Sequence, residues 1–300
     1  KFNLSDGTGR APRPVQVAAL EWLEQNWDKT RFKIIQAPVG AGKSWVARTI
    51  QRATNAAVVT PSNLLVRQYR HDYPEVNHLI GRKHYNCNTF AGLDCQSVCE
   101  AGIATKLTGD GSKTSYCTDC PYVAAKNRAK TEGTFYNPMS LMYSSRGERV
   151  PGSVIVVDEA HSLLSQLKEL ASKTFWKSEV GLPAKISSEI DVLNWLERII
   201  PPLKVQQARY TEAMGKTTSK EARAELAERL TEFEDTLSAI YSIRQGIKED
   251  PQNYAFWYGE KKLRGKIEQC LNIRPLKLPR HIAAQFFSRY DHVVLMSGTI

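Results

Sequence analysis

The sequence predicts an α/β fold with a parallel sheet, and three strand-like segments carry this prediction. Phe32-Lys-Ile-Ile-Gln-Ala37 leads through a glycine-rich turn into a helix-compatible stretch from Trp45 to Ala53. Ala56-Ala-Val-Val-Thr60 precedes a helical stretch from Leu64 to Tyr69. Val154-Ile-Val-Val157 is a continuous β-branched segment, which is typical of a central parallel strand buried on both faces. Strands and helices alternating in this way indicate βαβ units.

The middle of the chain lacks this alternation. From about Gly81 to Pro121 no helical or strand periodicity is present, and Cys, Gly, Thr, Ser and Asp dominate. A loop-rich segment of this length is compatible with a compact domain when a metal centre organises it. Helix-compatible residues return at Val123 to Ala129.

Residues 162 to about 290 are predicted to be mostly helical. One helix extends from Ser188 to Ile200 and is expected to end at Pro201-Pro202. A capping box at Thr218-Ser-Lys-Glu221 predicts the next helix. That helix carries an apolar seam that predicts pairing in a helical hairpin; its members are Leu226, Leu230, Phe233, Leu237 and Ile240. Further strands are predicted at Tyr254 to Tyr258, Ile267 to Ile273 and His292 to Met296.

Composition narrows the class of protein. The 300 residues are 42% hydrophobic and 24% charged, which is ordinary for a soluble globular chain. The net charge of +10 favours a polyanionic partner and does not choose among a nucleic acid, an anionic membrane and a nucleotide. No apolar segment is long enough to predict a membrane span, and the polar start of the chain does not resemble a signal peptide. A cytoplasmic or nucleoid-associated protein is therefore expected, or a nuclear one if the source is eukaryotic.

The turn Ala37-Pro-Val-Gly-Ala-Gly-Lys-Ser44 predicts a phosphate-binding loop, because it follows a strand and opens a helix. Glycines let backbone N–H groups turn toward phosphate oxygens, and the helix N-terminus favours negative charge. Lys43 is expected to reach the β- and γ-phosphates of ATP, and Ser44 to ligate Mg²⁺. The predicted nucleotide-binding residues of this turn are Pro38, Val39, Gly40, Ala41, Gly42, Lys43 and Ser44.

The second half of such a site is an acidic pair after a buried strand. Val157 is followed by Asp158-Glu-Ala-His161. Asp158 is expected to hold Mg²⁺ at the carboxyl edge of the sheet, where ligands bind in open α/β folds. Glu159 is expected to orient and deprotonate the attacking water. The predicted catalytic residues are Lys43, Asp158, Glu159 and His161.

Five of the six cysteines lie within the irregular segment, which indicates a metal centre in a reducing compartment. They are Cys87, Cys95, Cys99, Cys117 and Cys120. Four thiolates suit a 4Fe–4S cluster or a tetrahedral Zn²⁺ ion about equally well by spacing alone.

Several short motifs together resemble those of superfamily 2 helicases, whose phosphate-binding loop often begins with Ala. Asp158-Glu-Ala-His161 resembles their DEAH box, and Arg13-Pro-Val-Gln16 the upstream motif whose Gln reads adenine. Thr60-Pro-Ser-Asn63 resembles motif Ia, which contacts the nucleic-acid backbone. Ser297-Gly-Thr299 resembles the Ser-Ala-Thr motif III, with Gly298 in place of Ala. By this resemblance Arg13 and Gln16 bind nucleotide, Thr60 and Pro61 bind nucleic acid, and Ser297, Gly298 and Thr299 couple hydrolysis to nucleic-acid binding.

A cysteine-rich segment lies between motif Ia and the DEAH box, and a mostly helical segment lies between the DEAH box and motif III. The positions of these two insertions are similar to those of XPD/DinG-type iron–sulfur helicases. Gly81-Arg-Lys-His-Tyr-Asn-Cys87 resembles the start of their cluster segment, Cys120-Pro-Tyr122 its end, and Tyr136-Asn137 the segment before the DEAH box. The resemblance implies a 4Fe–4S cluster in preference to zinc, a helical Arch domain, and 5′→3′ movement on single-stranded or forked DNA. Apart from the resemblance, the cations Arg82 and Lys83 with the aromatic Tyr85 are the side chains that single-strand binding needs. Asn137 is a further predicted nucleic-acid contact.

For the cluster, Cys87 occupies the family's first position and Cys117-x-x-Cys120 forms a chelating pair. The fourth ligand is then Cys99 or Cys95, with Cys99 preferred. The alternative set is Cys87, Cys95, Cys99 and Cys120.

The expected architecture is a RecA-like motor domain interrupted twice. The motor comprises residues 1–80, 121–161 and 290–300, the cluster domain 81–120 and the Arch-like domain 162–289. The resemblance to superfamily 2 helicases implies a second motor domain that these 300 residues do not include, so we expect a fragment with weak ATP hydrolysis. Two alternatives remain for function: an ATPase that remodels a nucleoprotein without separating strands, and a metal-stabilised nucleic-acid-binding module with a vestigial nucleotide site. DNA and RNA are not distinguished by the residues themselves.

Overall fold

The computed structural model describes residues 2–88, 94–95, 105–107, 113–115, 120–144, 152–217, 220–263 and 265–298. The chain forms two compact units. The first comprises residues 1–95, 117–166 and 285–300, and the second comprises 96–116 and 167–284. The predicted boundaries of a separate cluster domain remain a prediction.

The strands follow one another along the chain as β1 (Phe32–Gln36), β2 (Ala57–Val59), β3 (Asn77–Leu79), β4 (Thr105–Leu107), β5 (Lys113–Ser115), β6 (Thr134–Tyr136), β7 (Val154–Asp158), β8 (Lys173–Trp176), β9 (Tyr254–Leu263), β10 (Lys266–Pro275) and β11 (His292–Ser297). The helices are α1 (Pro14–Asn26), α2 (Lys43–Thr54), α3 (Asn63–Asp72), α4 (Pro121–Arg128), α5 (Pro138–Ser144), α6 (Leu163–Glu169), α7 (Lys177–Val180), α8 (Glu189–Lys216), α9 (Lys220–Glu249) and α10 (Arg280–Phe287). Short 3₁₀ turns lie at Arg82–His84, Ala160–Ser162 and Pro251–Asn253.

The first unit is built on a six-stranded sheet in the order β1-β11-β7-β2-β6-β3. All five pairings are parallel, so the carboxyl ends of the strands share one edge. Every residue of β7 is buried, as its β-branched composition predicts for a central strand. The predicted α/β fold with a RecA-like parallel sheet is therefore confirmed.

The core of this unit lies between the sheet and helices α1, α2 and α3. Each of these helices has one apolar face, which packs against the strands, and a polar face on the opposite side. Members of this core include Leu20, Leu23, Val46, Ile50, Val58, Tyr69, Phe135, Val156, Val294 and Met296.

The second unit combines a pair of long helices with a small antiparallel sheet. Helices α8 and α9 pack against each other, as the apolar seam predicted. The sheet has the order β8-β10-β9, and it joins the helices in one core. Members of this core include Phe175, Leu196, Ile200, Leu203, Leu237, Ile240, Ile243, Leu271 and Ile273.

Two features of the second unit differ from the sequence prediction. Helix α8 does not end at Pro201-Pro202 but continues to Lys216, with both prolines inside it. Both prolines are exposed, whereas Ile200 and Leu203 on either side are buried, so packing holds the helix together where two backbone N–H donors are missing. Strand β8 was not predicted; it forms by pairing with β10, about a hundred residues further along the chain.

None of the helices in the described ranges is both long enough and apolar enough to cross a bilayer.

Candidate functional site

The glycine-rich turn connects β1 to α2 at the carboxyl edge of the parallel sheet. Gly40 and Gly42 both have φ of +84°, in the left-handed region that other residues rarely adopt. Gly42 is also the residue that caps the N-terminus of α2. A turn of this conformation followed by a helix N-terminus is an anion-binding arrangement, because backbone N–H groups are left free to bind phosphate oxygens.

Lys43 connects this turn to the acidic segment. It opens α2 and is only 8% exposed. Its ammonium donates to the carbonyl oxygen of Ala37 at 3.2 Å and lies 3.3 Å from Oε1 of Glu159. Ser44 follows it and is half-buried. The structure thus brings the two halves of the predicted nucleotide site together at one edge of the sheet.

Asp158 ends β7 and is almost completely buried. Its Oδ2 accepts a hydrogen bond from the hydroxyl of Tyr69 at 2.8 Å, and its Oδ1 accepts one from the N–H of Glu159 at 3.0 Å. Burial raises the pKa of Asp158, and the bond from Tyr69 opposes that rise. An oriented carboxylate beside a phosphate-binding loop is the type of oxygen ligand that Mg²⁺ uses in nucleotide sites.

Glu159 has an unusual backbone conformation for its type. Its φ of +52° lies in the left-handed region, although it is not a glycine. Strain of this kind concentrates at functional sites, where it directs a side chain that the regular backbone would place elsewhere. Here the carboxylate contacts Lys43 through Oε1 and lies 3.4 Å from Nδ1 of His161 through Oε2.

His161 reaches the strand that lies between the two halves of the site. Its Nδ1 is 2.8 Å from the hydroxyl oxygen of Ser297, the fully buried last residue of β11. The N–H of Ala37 donates to the carbonyl oxygen of Ser297 at 3.0 Å, which ties β11 to the start of the glycine-rich turn. Ser297 therefore touches both motifs, whereas Thr299 lies outside the described residues.

Gly298 lies against the glycine-rich turn. A Cβ atom at this position would be 3.7 Å from the carbonyl oxygen of Ala37 and 3.8 Å from both Lys43 Nζ and Val39 Cγ2. These are ordinary contact distances, so the structure has room at residue 298 for the Ala that the Ser-Ala-Thr motif carries there.

Arg13 and Gln16, at the start of α1, hold the backbone of the turn. The guanidinium of Arg13 donates to the carbonyl oxygen of Gly40. The side-chain amide of Gln16 donates to the carbonyl oxygen of Gly42 at 3.1 Å and accepts from the N–H of Arg13 at 2.7 Å. Both ends of this amide are thus bonded within the protein, and its expected contact with adenine remains a prediction.

A cleft of about 300 Å³ opens beside Lys43. Side chains from α1, β1 and the glycine-rich turn surround it, and most of them are apolar. They include Val15, Gln16, Trp22, Ile34, Ala41 and Val46.

Residues predicted to contact nucleic acid lie after the neighbouring strands β2, β3 and β6. Thr60 is fully buried, its N–H donating to the carbonyl oxygen of Tyr136 at 2.9 Å. The carbonyl oxygen of Pro61 accepts a bond from Gln166 at 2.8 Å. The positions of these two residues favour a role in shaping the edge of the sheet, and the neighbouring Ser62 is exposed.

A chain of polar side chains crosses the same edge. The amide nitrogen of Asn137 donates to Asn63, and the amide nitrogen of Asn63 lies 2.8 Å from Nε2 of His84. The N–H of Ser140 in turn donates to Asn137 at 2.6 Å. Asn63 and His84 both lie within motifs quoted from the sequence, but neither was named as a contact residue, because the neighbours of these segments in space cannot be read from local spacing.

The remaining predicted contacts differ in accessibility. Lys83 is exposed and Arg82 is half-buried, both in the turn that follows β3. Tyr85 is used within the protein: its hydroxyl donates to the carbonyl oxygen of His78 at 2.8 Å, and its ring packs edge-on against Tyr122 at 5.5 Å.

Three of the five predicted cluster cysteines are described. Cys87 is half-buried, and Cys95 and Cys120 are buried with their sulfur atoms 3.3 Å apart. Cys99 and Cys117 lie outside the described residues. Within the described ranges no group of three or more His, Cys, Asp or Glu side chains is arranged to hold a metal ion. The structure brings Cys95 next to Cys120, a pair present in the alternative ligand set.

The fold and this site define a P-loop nucleotide-hydrolase motor domain. A family model described as "Type III restriction enzyme, res subunit" matches residues 10–184, and the chain belongs to this family, which is a superfamily 2 helicase motor. Among solved structures, a chain titled "Truncated XPD" is similar, with a TM-score of 0.45 and 13% identity over 96% of this chain and 93% of that one. No curated protein matches.

Proposed function

We propose that this chain is the nucleotide-binding motor domain of an ATP-dependent DNA helicase or translocase that moves 5′→3′ along single strands. The observation that carries the proposal is the 3.3 Å contact between Lys43 and Glu159. This contact supports the proposal because it pairs, at one edge of the sheet, a lysine that would bind phosphate with a carboxylate that would act as the general base. Family membership supports ATP hydrolysis linked to nucleic acid, while DNA and direction rest on the resemblance of the motifs.

The contact between Lys43 and Glu159 leads us to propose an order of events for hydrolysis. Without nucleotide, the ammonium neutralises the carboxylate. When ATP binds, Lys43 is expected to turn to the β- and γ-phosphates, and Glu159 is released to accept a proton from water. The water oxygen forms a bond to the γ-phosphorus, the bond to the bridging oxygen breaks, and ADP and phosphate leave.

Magnesium is expected to be held by the hydroxyl of Ser44 and the carboxylate of Asp158. Both are oxygen ligands, which Mg²⁺ prefers, and Asp158 is already oriented by two donors. When bound, the ion supplies neutralisation of the charge that develops on the phosphate oxygens.

Single-stranded or forked DNA is the proposed partner. The net charge of +10 supports a polyanion, and the polar side chains of Asn63, His84 and Asn137 lie after strands at the same edge as the nucleotide site. Exposed Lys83 next to His84 adds a cation for a phosphate group.

We also propose a 4Fe–4S cluster held by four of the five clustered cysteines. The contact between Cys95 and Cys120 supports a shared site, since it joins thiols from two segments of the chain. Thiolates are soft ligands and suit Fe–S clusters and zinc alike, so the donor set fits the group. The cluster would supply structural support to a segment with little regular structure.

ATP hydrolysis with and without single-stranded DNA tests the proposal, in the protein that carries this chain. Glu159→Gln is expected to bind ATP normally and to lower kcat by about a hundredfold or more, because it removes the base and keeps the shape. Lys43→Ala is expected to abolish ATP binding, and Lys29→Ala, an exposed lysine, controls for loss of charge. Full activity in Lys43→Ala would exclude this nucleotide site.

Direction and cofactor need separate measurements. Forked duplexes with only a 5′ or only a 3′ single-stranded arm distinguish the two directions, and unwinding only from the 3′ arm would contradict the proposal. Anaerobically purified protein is expected to contain iron and to absorb in the blue-violet, with bleaching on reduction. A colourless protein that contains zinc would favour the alternative metal.

A further inference from the structure

Tyr69 contacts the nucleotide site without belonging to any motif recognised in the sequence. It lies on α3 and is 3% exposed. Its hydroxyl donates to Oδ2 of Asp158 at 2.8 Å, and its ring packs on Phe135 with centroids 4.4 Å apart. The ring is thereby held in place by the core, and the hydroxyl is aimed at the carboxylate proposed to hold magnesium.

A second tyrosine makes an equivalent bond at the end of the same helix. Tyr73, the residue that caps the C-terminus of α3, donates its hydroxyl to Oδ2 of Asp6 at 3.0 Å. Asp6 is also buried, and it accepts further bonds from Thr8. The two tyrosines therefore make the same kind of contact, a buried phenol to a buried carboxylate, but only Tyr69 touches a residue of the nucleotide site.

The carboxylate of Asp158 is held from two sides. The hydroxyl of Tyr69 donates to Oδ2, and the N–H of Glu159 donates to Oδ1. Asp158 is almost completely buried, so the direction of its carboxylate depends on these protein donors. Loss of the Tyr69 hydroxyl would leave the Glu159 bond to orient the carboxylate from one side.

We propose that Tyr69 is a positioning residue that keeps the carboxylate of Asp158 oriented for magnesium. The inference rests on the proposed function, since Asp158 has this role only in a magnesium–nucleotide site. The contact also fixes the end of β7 to the helix that begins directly after the Thr60–Ser62 segment, so the carboxylate is held by an element outside the glycine-rich turn.

Magnesium-dependent binding of a fluorescent ATP analogue to the intact chain tests the inference. Tyr69→Phe keeps the ring against Phe135 and removes only the hydroxyl. The magnesium concentration for half-maximal binding is expected to increase about fivefold, because the carboxylate loses one of the two donors that orient it. Tyr73→Phe removes the matched hydroxyl and is expected to follow the wild type.

The outcomes separate the inference from the proposed function. A wild-type chain that binds the analogue without any need for magnesium would contradict the function itself. Wild-type dependence with an unchanged Tyr69→Phe variant would overturn the inference alone. Equal changes in the two tyrosine variants would also overturn it, because they would indicate a general loosening of α3; melting temperatures of both variants measure that loosening directly.

Discussion

The imidazole of His161 and the hydroxyl of Ser297 lie 2.8 Å apart, which joins the segment after β7 to the end of β11. His161 also lies 3.4 Å from the carboxylate of Glu159, and Ser297 accepts a backbone bond from Ala37. Both residues thus border the glycine-rich turn and the candidate general base. A shift of β11 relative to β7 would change the surroundings of Glu159 directly.

We expect His161→Ala to lower the nucleic-acid-stimulated rate of ATP hydrolysis about tenfold while leaving ATP affinity close to that of the wild type, because neither side chain is part of the phosphate-binding loop. Ser297→Ala should have a similar effect, and the double variant should be no worse than either single one. Ser172→Ala, which removes another buried hydroxyl, provides a control. Additive losses in the double variant would show that the two side chains act separately.

The second prediction concerns Gln16, whose amide bridges the N–H of Arg13 and the carbonyl oxygen of Gly42. Gln16→Ala is expected to weaken binding of ATP and GTP analogues by the same factor, about five- to tenfold, because it loosens the turn rather than a contact with the base. Fluorescence titration with both analogues measures this. Gln25→Ala, at an exposed position of the same helix, should have no effect.

A loss confined to the ATP analogue would instead show that Gln16 reads adenine, as the resemblance to superfamily 2 helicases implies. A change at Gly42 gives an independent check that the shape of the glycine-rich turn affects the binding of both nucleotides. A Cβ atom there would lie 2.1 Å from the amide nitrogen of Gln16, and φ is positive, so Gly42→Ala should impair both nucleotides in the same way.

The nucleotide site could be predicted because its key residues lie in two short contiguous segments of the sequence. A phosphate-binding turn needs glycines, lysine and serine at fixed spacing, and the acidic pair directly follows a fully β-branched strand. The contacts of Tyr69, Asn63 and His84 could not be found in this way. Their partners are Asp158, Asn137 and one another, and these contacts form only when parallel strands bring distant segments to one edge.

The third prediction uses the buried histidine of β3. His78 stacks on Phe135 with ring centroids 5.3 Å apart, and burial lowers its pKa from 6.5 to about 4. Its Nε2 is buried without a hydrogen-bond partner in the part of the chain that the structure describes. The unfolded chain therefore takes up the proton first as pH falls, and folding stability is lost between pH 6.5 and 4.

This loss is expected to reach about 3 kcal/mol at most, since each pKa unit corresponds to about 1.4 kcal/mol. Urea unfolding at pH 7.5 and pH 5 measures it. His78→Phe keeps an aromatic ring against Phe135 and should unfold with a smaller pH dependence than the wild type. His71→Phe removes an exposed histidine as a control. An unchanged pH dependence in His78→Phe would exclude this histidine as its source.

Helix α8 shows where local sequence rules fail. Two adjacent prolines predict a helix end, yet α8 continues through them because Ile200 and Leu203 are held in the core with α9. Local sequence rules also miss strand β8, because its structure depends on a distant part of the chain. Its four residues carry no clear pattern, and they form a strand only because β10 offers a partner edge.

The last prediction follows from those prolines. Pro201 and Pro202 lack the N–H groups that would bond to the carbonyl oxygens of Glu197 and Arg198, and both proline rings are exposed, so little packing depends on them. Replacing either with Ala should raise the free energy of unfolding by about 1–3 kcal/mol, because a donor is restored and the strain between the ring and the preceding turn is relieved. Replacement with Gly should give about 1 kcal/mol less, since Gly loses more backbone entropy in a helix. Urea unfolding of the four variants measures both differences.

If Ala lowers stability instead, the prolines must set a bend that Leu203 needs in order to reach the core, and a helix straightened by Ala would then pack less well against α9.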